Sequence, residues 1–193
     1  MKHLSSSITD FYIKRNIIKE DEKEVYQYGV ELILNEMLTF GVILIYSLIA
    51  WKIRYAVEFL SVFCLTRVYC GGYHASKQYV CRLTMLGVFF SIYILSKALN
   101  AINPIWLFLL LAICFAIISM LVPVKHPNKT LTERQIKKNR KMGILTFLIF
   151  GITSFVVRGI MGIQDGIIIC LSLCAVTALA IIGTFTQQRE VSQ

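Results

Sequence analysis

Two stretches of this 193-residue chain restrict its fold more than anything else in it: "PIWLFLLLAICFAIISMLVP" at 104–123 and "GIIICLSLCAVTALAIIGTF" at 166–185. Neither contains a charge, and each has the roughly 20 residues a helix needs to cross the hydrocarbon core of a bilayer. Four further segments are apolar but interrupted: 30–50 with Glu31 and Glu36, 56–70 with Glu58 and Arg67, 82–99 bounded by Arg82 and Lys97, and 142–157 closed by Arg158. Hydrophobic residues make up 56% of the chain, charged residues 16%, and the mean hydropathy is +0.67. That balance excludes an ordinary soluble domain. The expected fold is all-α, a polytopic integral membrane protein of about six transmembrane helices, with four spans plus re-entrant segments as the alternative. The weakest span is 56–70, which is short and carries two charges.

Basic residues stay on the cytoplasmic side of such proteins, and here they are concentrated. Segment 1–29 holds Lys2, Lys14, Arg15, Lys19 and Lys23, and segment 124–141 holds Lys125, Lys129, Arg134, Lys137, Lys138, Arg140 and Lys141. The alternate connections hold only Lys52 and Arg54, then Lys97, then Arg158. Both termini are therefore expected in the cytoplasm, with the His74–Cys81 loop and the basic 124–141 loop on the same inner face. The net charge of +9 then points to anionic membrane lipids rather than nucleic acid.

The first thirty residues lack an apolar core followed by a small-residue cleavage site, so a signal peptide is not expected. Residues 8–28, "ITDFYIKRNIIKEDEKEVYQY", place Ile8, Phe11, Tyr12, Ile17, Ile18, Val25 and Tyr28 between charges. This pattern predicts an amphipathic helix lying on the inner surface. The six cysteines fall mostly within apolar runs and form no C-x-x-C pair, so most are expected to act as small buried hydrophobes.

One stretch departs from this pattern. "RVYCGGYHASKQYVC", 67–81, sets a glycine pair, a histidine, two cysteines and two bases between apolar spans. A cysteine attacks as the thiolate and needs a base or cation beside it. His74 and Cys81 on one continuous helix would stand about 10 Å apart along the axis, too far to exchange a proton. A working pair therefore requires the helix to break between them. Gly71-Gly72 permits a reversal, and Ser76 is a plausible N-cap for a helix that includes Cys81.

Arg67, then Gly72, His74 and Ala75 as a Gly-x-His-Ala element, then Cys81, followed by "PVKHPNK" at 123–129 and a basic loop, resemble the AgrB family of quorum-sensing peptide processors. The similarity runs from the N-terminal helix to the last span. The resemblance implies one membrane peptidase domain over 1–193, with 1–29 as a cytoplasmic amphipathic segment and 124–141 as a basic cytoplasmic loop. It implies a membrane cysteine endopeptidase that cleaves the C-terminal tail from a small AgrD-like precursor peptide and closes the remainder into a thiolactone or lactone. In that chemistry Cys81 is the nucleophile and His74 the base, with no metal and no cofactor. Arg67 and Gly72 are supporting candidates, and Lys77 and Arg82, which flank Cys81, are candidate contacts for the peptide's tail. Membrane lipids are the other expected partner, with a homodimer left open.

Competing readings exist for the individual residues. Arg67 can snorkel or pair with a carboxylate such as Glu58. Tyr73 and Tyr79 fit interfacial anchors, and His126 fits a surface position in the basic loop. The rival function is a small transporter or sensor in which Glu31, Glu36, Glu58 and Arg67 line a polar path and the His/Cys pair is incidental.

Overall fold

The computed structural model describes residues 2–71, 78–124 and 132–191, and 88% of the chain is helical, with no strand among the described residues. In chain order the helices are α1 (Lys2–Lys14), α2 (Lys23–Ile49), α3 (Ile53–Cys70), α4 (Gln78–Ala98), α5 (Pro104–Leu121), α6 (Glu133–Ile160) and α7 (Ile163–Val191). Five of them, α2 and α4 to α7, are long and apolar enough to cross a membrane. The sixth expected span, α3, forms over 18 residues, about 27 Å of helix. It falls short on composition because it carries Arg54, Glu58 and Arg67. Its position accounts for Glu58 and Arg67: α3 packs on α2, α6 and α7, and Tyr55, Ala56, Phe59, Val62, Phe63, Thr66 and Cys70 are buried, whereas Arg54 at its start is exposed. Charge is tolerated in a span that faces other helices rather than lipid.

Side chains sort by size as much as by polarity. The buried face of α2 is Asn35, Thr39, Ile43 and Ser47, while Leu38, Val42, Ile45 and Leu48 face outward. Small and polar groups at helix contacts are expected where lipid is as apolar as leucine. Thr39, Ser172 and Thr177 satisfy their hydroxyls by donating to the carbonyl four residues earlier. Helix α7 is central, touching α3, α4, α5 and α6, and is buried almost continuously from Ile167 to Leu173. Helix α5 is peripheral, with Trp106, Phe108 and Leu109 exposed.

Hydrogen bonds and ring contacts fix which ends meet. The N–H of Val124, just past α5, donates to the Cys70 carbonyl at the end of α3 (3.0 Å). Arg140 of α6 donates to the Ser119 carbonyl (3.2 Å). These contacts gather the end of α3, the end of α5 and the start of α6, with the first turn of α4 following α3, at what we call the basic end. At the opposite end Tyr55 donates to Gln164 (2.7 Å) and Arg158 to the Ile102 carbonyl (3.0 Å). There the rings of Phe59 and Phe89 (5.3 Å) and of Tyr55 and Tyr93 (6.3 Å) tie α3 to α4.

Residues 8–28 do not form one helix. α1 stops at Lys14, and Asn16 takes φ 54°, a left-handed conformation that asparagine tolerates better than most residues. A short 3-10 turn, Glu20–Glu22, then leads into α2, with its three acids where the positive end of that helix favours them. α1 turns Ser5 and Thr9 inward and leaves Leu4 and Phe11 exposed. Asp10 and Lys23 join the two helices at 2.7 Å; that hydrogen bond lowers the Asp10 carboxyl from its usual pKa.

Candidate active site at the basic end

Helix α3 ends where Gly71 adopts φ 73°, ψ −156°, its N–H donating to the Arg67 carbonyl (2.9 Å). Only glycine enters that region without strain, and a Cβ there would also stand 2.8 Å from the Val124 carbonyl oxygen. The next described helix is α4, from Gln78. His74 itself, with Gly72, Lys77 and Ser76, lies outside the described residues.

Cys81 is the fourth residue of α4 and is half-buried. The buried residues of that helix are Met85, Phe89, Ile92 and Ser96, a stripe at three- and four-residue steps that marks its inward face. One step back along the stripe is Cys81. That places Cys81 on the inward side of α4, toward the bundle interior. Arg82, also half-buried, follows it.

Arg67 lies in the last turn of α3 with its guanidinium 5.5 Å from the centroid of Phe63. Arg67 and Glu36 of α2 both lie in the neighbourhood of Cys64. Glu58 does not: it faces Asp165 of α7 and Arg54 at the opposite end. Asp165 was missed in the sequence although an acid at the edge of an apolar run was there to be seen. Its side chain is 3% exposed and lies 3.6 Å from Arg54. The rival polar path is thus split, with Glu58, Asp165 and Arg54 at one end and Glu36 and Arg67 toward the other.

Three of the other cysteines lie deeper than Cys81, whereas Cys64 and Cys174 are half-buried like it. Cys70, Cys114 and Cys170 are buried, and the Cys114 and Cys174 sulfurs meet at 3.7 Å between α5 and α7. Among the described residues no cluster of three or more His, Cys, Asp or Glu could hold a metal ion.

The family description for accessory gene regulator B, AgrB, matches residues 5–186. The chain belongs to the AgrB family. No curated protein and no solved structure matches it. Family membership gives this membrane-embedded protein a role in the accessory gene regulator system, and a quorum-sensing peptide precursor as the substrate that the family suggests. It also connects the two loop bases: the matched span takes in both the 67–81 segment and the "PVKHPNK" element, which this fold stitches together through Val124 and Cys70.

Proposed function

We propose that this AgrB protein is a membrane cysteine endopeptidase that cuts its precursor peptide and cyclises the product, with Cys81 as nucleophile and His74 as base. The observation that carries the reading is the register of Cys81. It lies one helical step before Met85 on the inward stripe of α4 and is half-buried, while the Cys70, Cys114 and Cys170 thiols are buried.

In the first step His74 takes the Cys81 proton and the sulfur attacks the scissile carbonyl. The C–N bond breaks, His74 returns the proton to the departing amine, and the peptide is held as a thioester. In the second step a Cys or Ser side chain within the bound peptide attacks that thioester, Cys81 leaves as thiolate, and the ring closes. Water must be excluded meanwhile, because hydrolysis would release a linear acid. The inward register of Cys81 supports this, since a face continuous with Met85 and Phe89 is apolar. An amide is more stable than a thioester, so removal of the cleaved tail draws the first step forward. We further propose that the basic end is cytoplasmic, consistent with the twelve Lys and Arg residues of segments 1–29 and 124–141.

The test is co-expression with a short precursor peptide carrying an internal Cys or Ser and an acidic tail, followed by mass spectrometry. Tail release and a product lighter by one water than the linear cleaved peptide are expected from the wild type. Neither is expected from Cys81→Ala, and little from His74→Ala. Normal processing by Cys81→Ala would sink the mechanism and leave the transporter reading.

A further inference from the structure

A slot runs along the seam between α5 and α6. The rings of Phe115 and Phe147 meet at 5.9 Å near one end of it, and those of Phe108 and Phe155 at 6.3 Å near the other. Between these two pairs the lining includes Ala112 and Gly151, and a Cβ built at Gly151 would find nothing within 4 Å. The space left has a volume of about 310 Å³ and is lined only by apolar residues. Phe108, Leu148 and Ile152 are exposed, so the slot opens away from the bundle.

The same face of α6 turns basic beyond the slot. Lys137, Lys141, Ile144, Leu148, Gly151 and Phe155 follow one another at three- and four-residue steps, which puts them on one stripe of the helix. Lys137, Arg140 and Lys141 are exposed. Arg140 reaches across the seam to donate to the Ser119 carbonyl of α5 (3.2 Å), and a guanidinium has further N–H groups to offer. At about 1.5 Å per residue, Gly151 lies about 15 Å along the helix from Lys141. That is the depth of one leaflet of a hydrocarbon core about 30 Å thick. Three positive charges thus stand one leaflet away from the small-residue centre of an apolar slot.

We propose that the α5–α6 seam is a binding site for an anionic phospholipid, its phosphate held by Lys137, Arg140 and Lys141 and one acyl chain lying in the slot as far as Gly151. None of these residues enters the peptide chemistry proposed above. The size of the slot and the charge at its end select the occupant. One turn of a helix, from a second copy or from a peptide, takes roughly 400–600 Å³ at a width of about 10–12 Å, which is more than the slot holds. A single acyl chain fills it lengthwise. Lipid tails are as apolar as leucine, so the slot alone does not choose among lipids. The choice comes from the bases, each favouring an acidic headgroup by about fivefold.

The test uses the full-length protein in vesicles of equal phosphatidylglycerol and phosphatidylcholine, with a trace of either lipid carrying a diazirine on its acyl chain. After illumination the labelled residues are mapped by mass spectrometry. Ala112, Leu148 and Ile152 are expected to take more label from phosphatidylglycerol than from phosphatidylcholine, by about tenfold or more. Ile94 and Leu95, exposed on α4, should take both equally. Lys137→Gln with Lys141→Gln should lower the ratio in the slot by about fivefold or more and leave α4 unchanged; both positions are exposed, so this variant keeps the fold. Gly151→Leu fills the slot and should clear it of label from either lipid.

Equal labelling of the slot by the two lipids in the wild type overturns the proposal, as does a ratio unmoved by Lys137→Gln with Lys141→Gln. Label that persists at Ala112 and Ile152 in Gly151→Leu overturns the placement of the acyl chain. A slot that neither lipid labels overturns the whole, and a shift from dimer to monomer in Gly151→Leu would then assign the seam to a second copy of the chain.

Discussion

Replacing Gly166 with alanine probes a close approach of α7 to α6. The new Cβ would lie 2.5 Å from the Ser154 carbonyl oxygen and 2.5 Å from Arg158 Cβ, with Arg158 Cα at 2.9 Å. Carbon atoms in favourable contact sit about 3.5–4.0 Å apart, so α6 and α7 must separate by about 1 Å along this line. None of the three obstructing atoms is the far end of a side chain that could swing aside. Overpacking of this kind costs about 1–3 kcal/mol, and a clash with backbone belongs at the top of that range. Alanine returns up to about 1 kcal/mol in helix propensity, leaving a net loss of about 2 kcal/mol. For a domain of this size that lowers the melting temperature by roughly 4–8 °C. The assay is heating in detergent with a thiol-reactive dye, which reports exposure of the buried Cys70, Cys114 and Cys170. Gly151→Ala, with nothing within 4 Å of its Cβ, should melt with the wild type. Because Gly166 lies at the end opposite Cys81, peptide processing at low temperature should survive. If Gly166→Ala melts with the wild type, or Gly151→Ala falls as far, close backbone packing does not set the stability of this bundle.

Alanine at Cys64, Cys114, Cys170 or Cys174 should leave processing intact, measured as tail release by mass spectrometry; loss at any of them equal to that of Cys81→Ala would contradict the assignment of the nucleophile. A cysteine placed at position 138 should react with membrane-impermeant maleimide only after cells are opened, and labelling in intact cells would reverse the proposed orientation. Reversing Lys77 and Arg82 to Glu should slow cleavage of an acidic-tailed precursor and be partly rescued by a basic tail. Reversing Lys137 and Lys138 should matter less, since charge at the membrane surface is screened within about 8 Å at physiological salt; equal effects at both pairs would remove the case for tail capture beside Cys81. Arg54→Ala should lower thermal stability by about 1 kcal/mol, because it strips Asp165, 3% exposed, of a cation that is itself more than half exposed.

Apolar run length proved a good guide to the helices and a poor one to their ends. The expected span 142–157 is the middle of α6, which starts at Glu133. Its first turns are basic and invisible to hydropathy, yet Thr132 and Gln135 form a reciprocal cap, the Gln135 N–H donating to the Thr132 hydroxyl (3.4 Å) and the Thr132 N–H to the Gln135 side chain (2.9 Å). That Ser/Thr-x-x-Glu/Gln signature was present in the sequence. The single helix expected over 8–28 is divided for a different reason. Ile17 and Ile18 continue the apolar pattern in sequence but lie beyond the reversal at Asn16, one exposed and the other buried.

At the candidate site, the sequence indicated the need for a break between His74 and Cys81, because helical spacing alone forbids their contact. It could not indicate which side of α4 faces the interior. Met85, Phe89 and Ile92 on the buried face are no more apolar than Leu83, Ile94 and Leu95 on the exposed one, and in a bilayer hydrophobicity does not separate inside from outside.

The sequence by itself determined that this chain is a helical membrane protein, where its apolar helices run, and, through Arg67, Gly72, His74, Cys81 and "PVKHPNK", the family it resembles. Those properties are local: they depend on residues within one helix or one loop, and on the cost of unsatisfied backbone in hydrocarbon. Only the tertiary structure decided that the charged α3 is an inner helix, that Glu58 belongs with Asp165 and not with Arg67, that Cys81 faces inward, and that Cys70 and Val124 meet. Each of these depends on which small residues let two backbones approach, and that is settled by pairs of positions far apart in the chain.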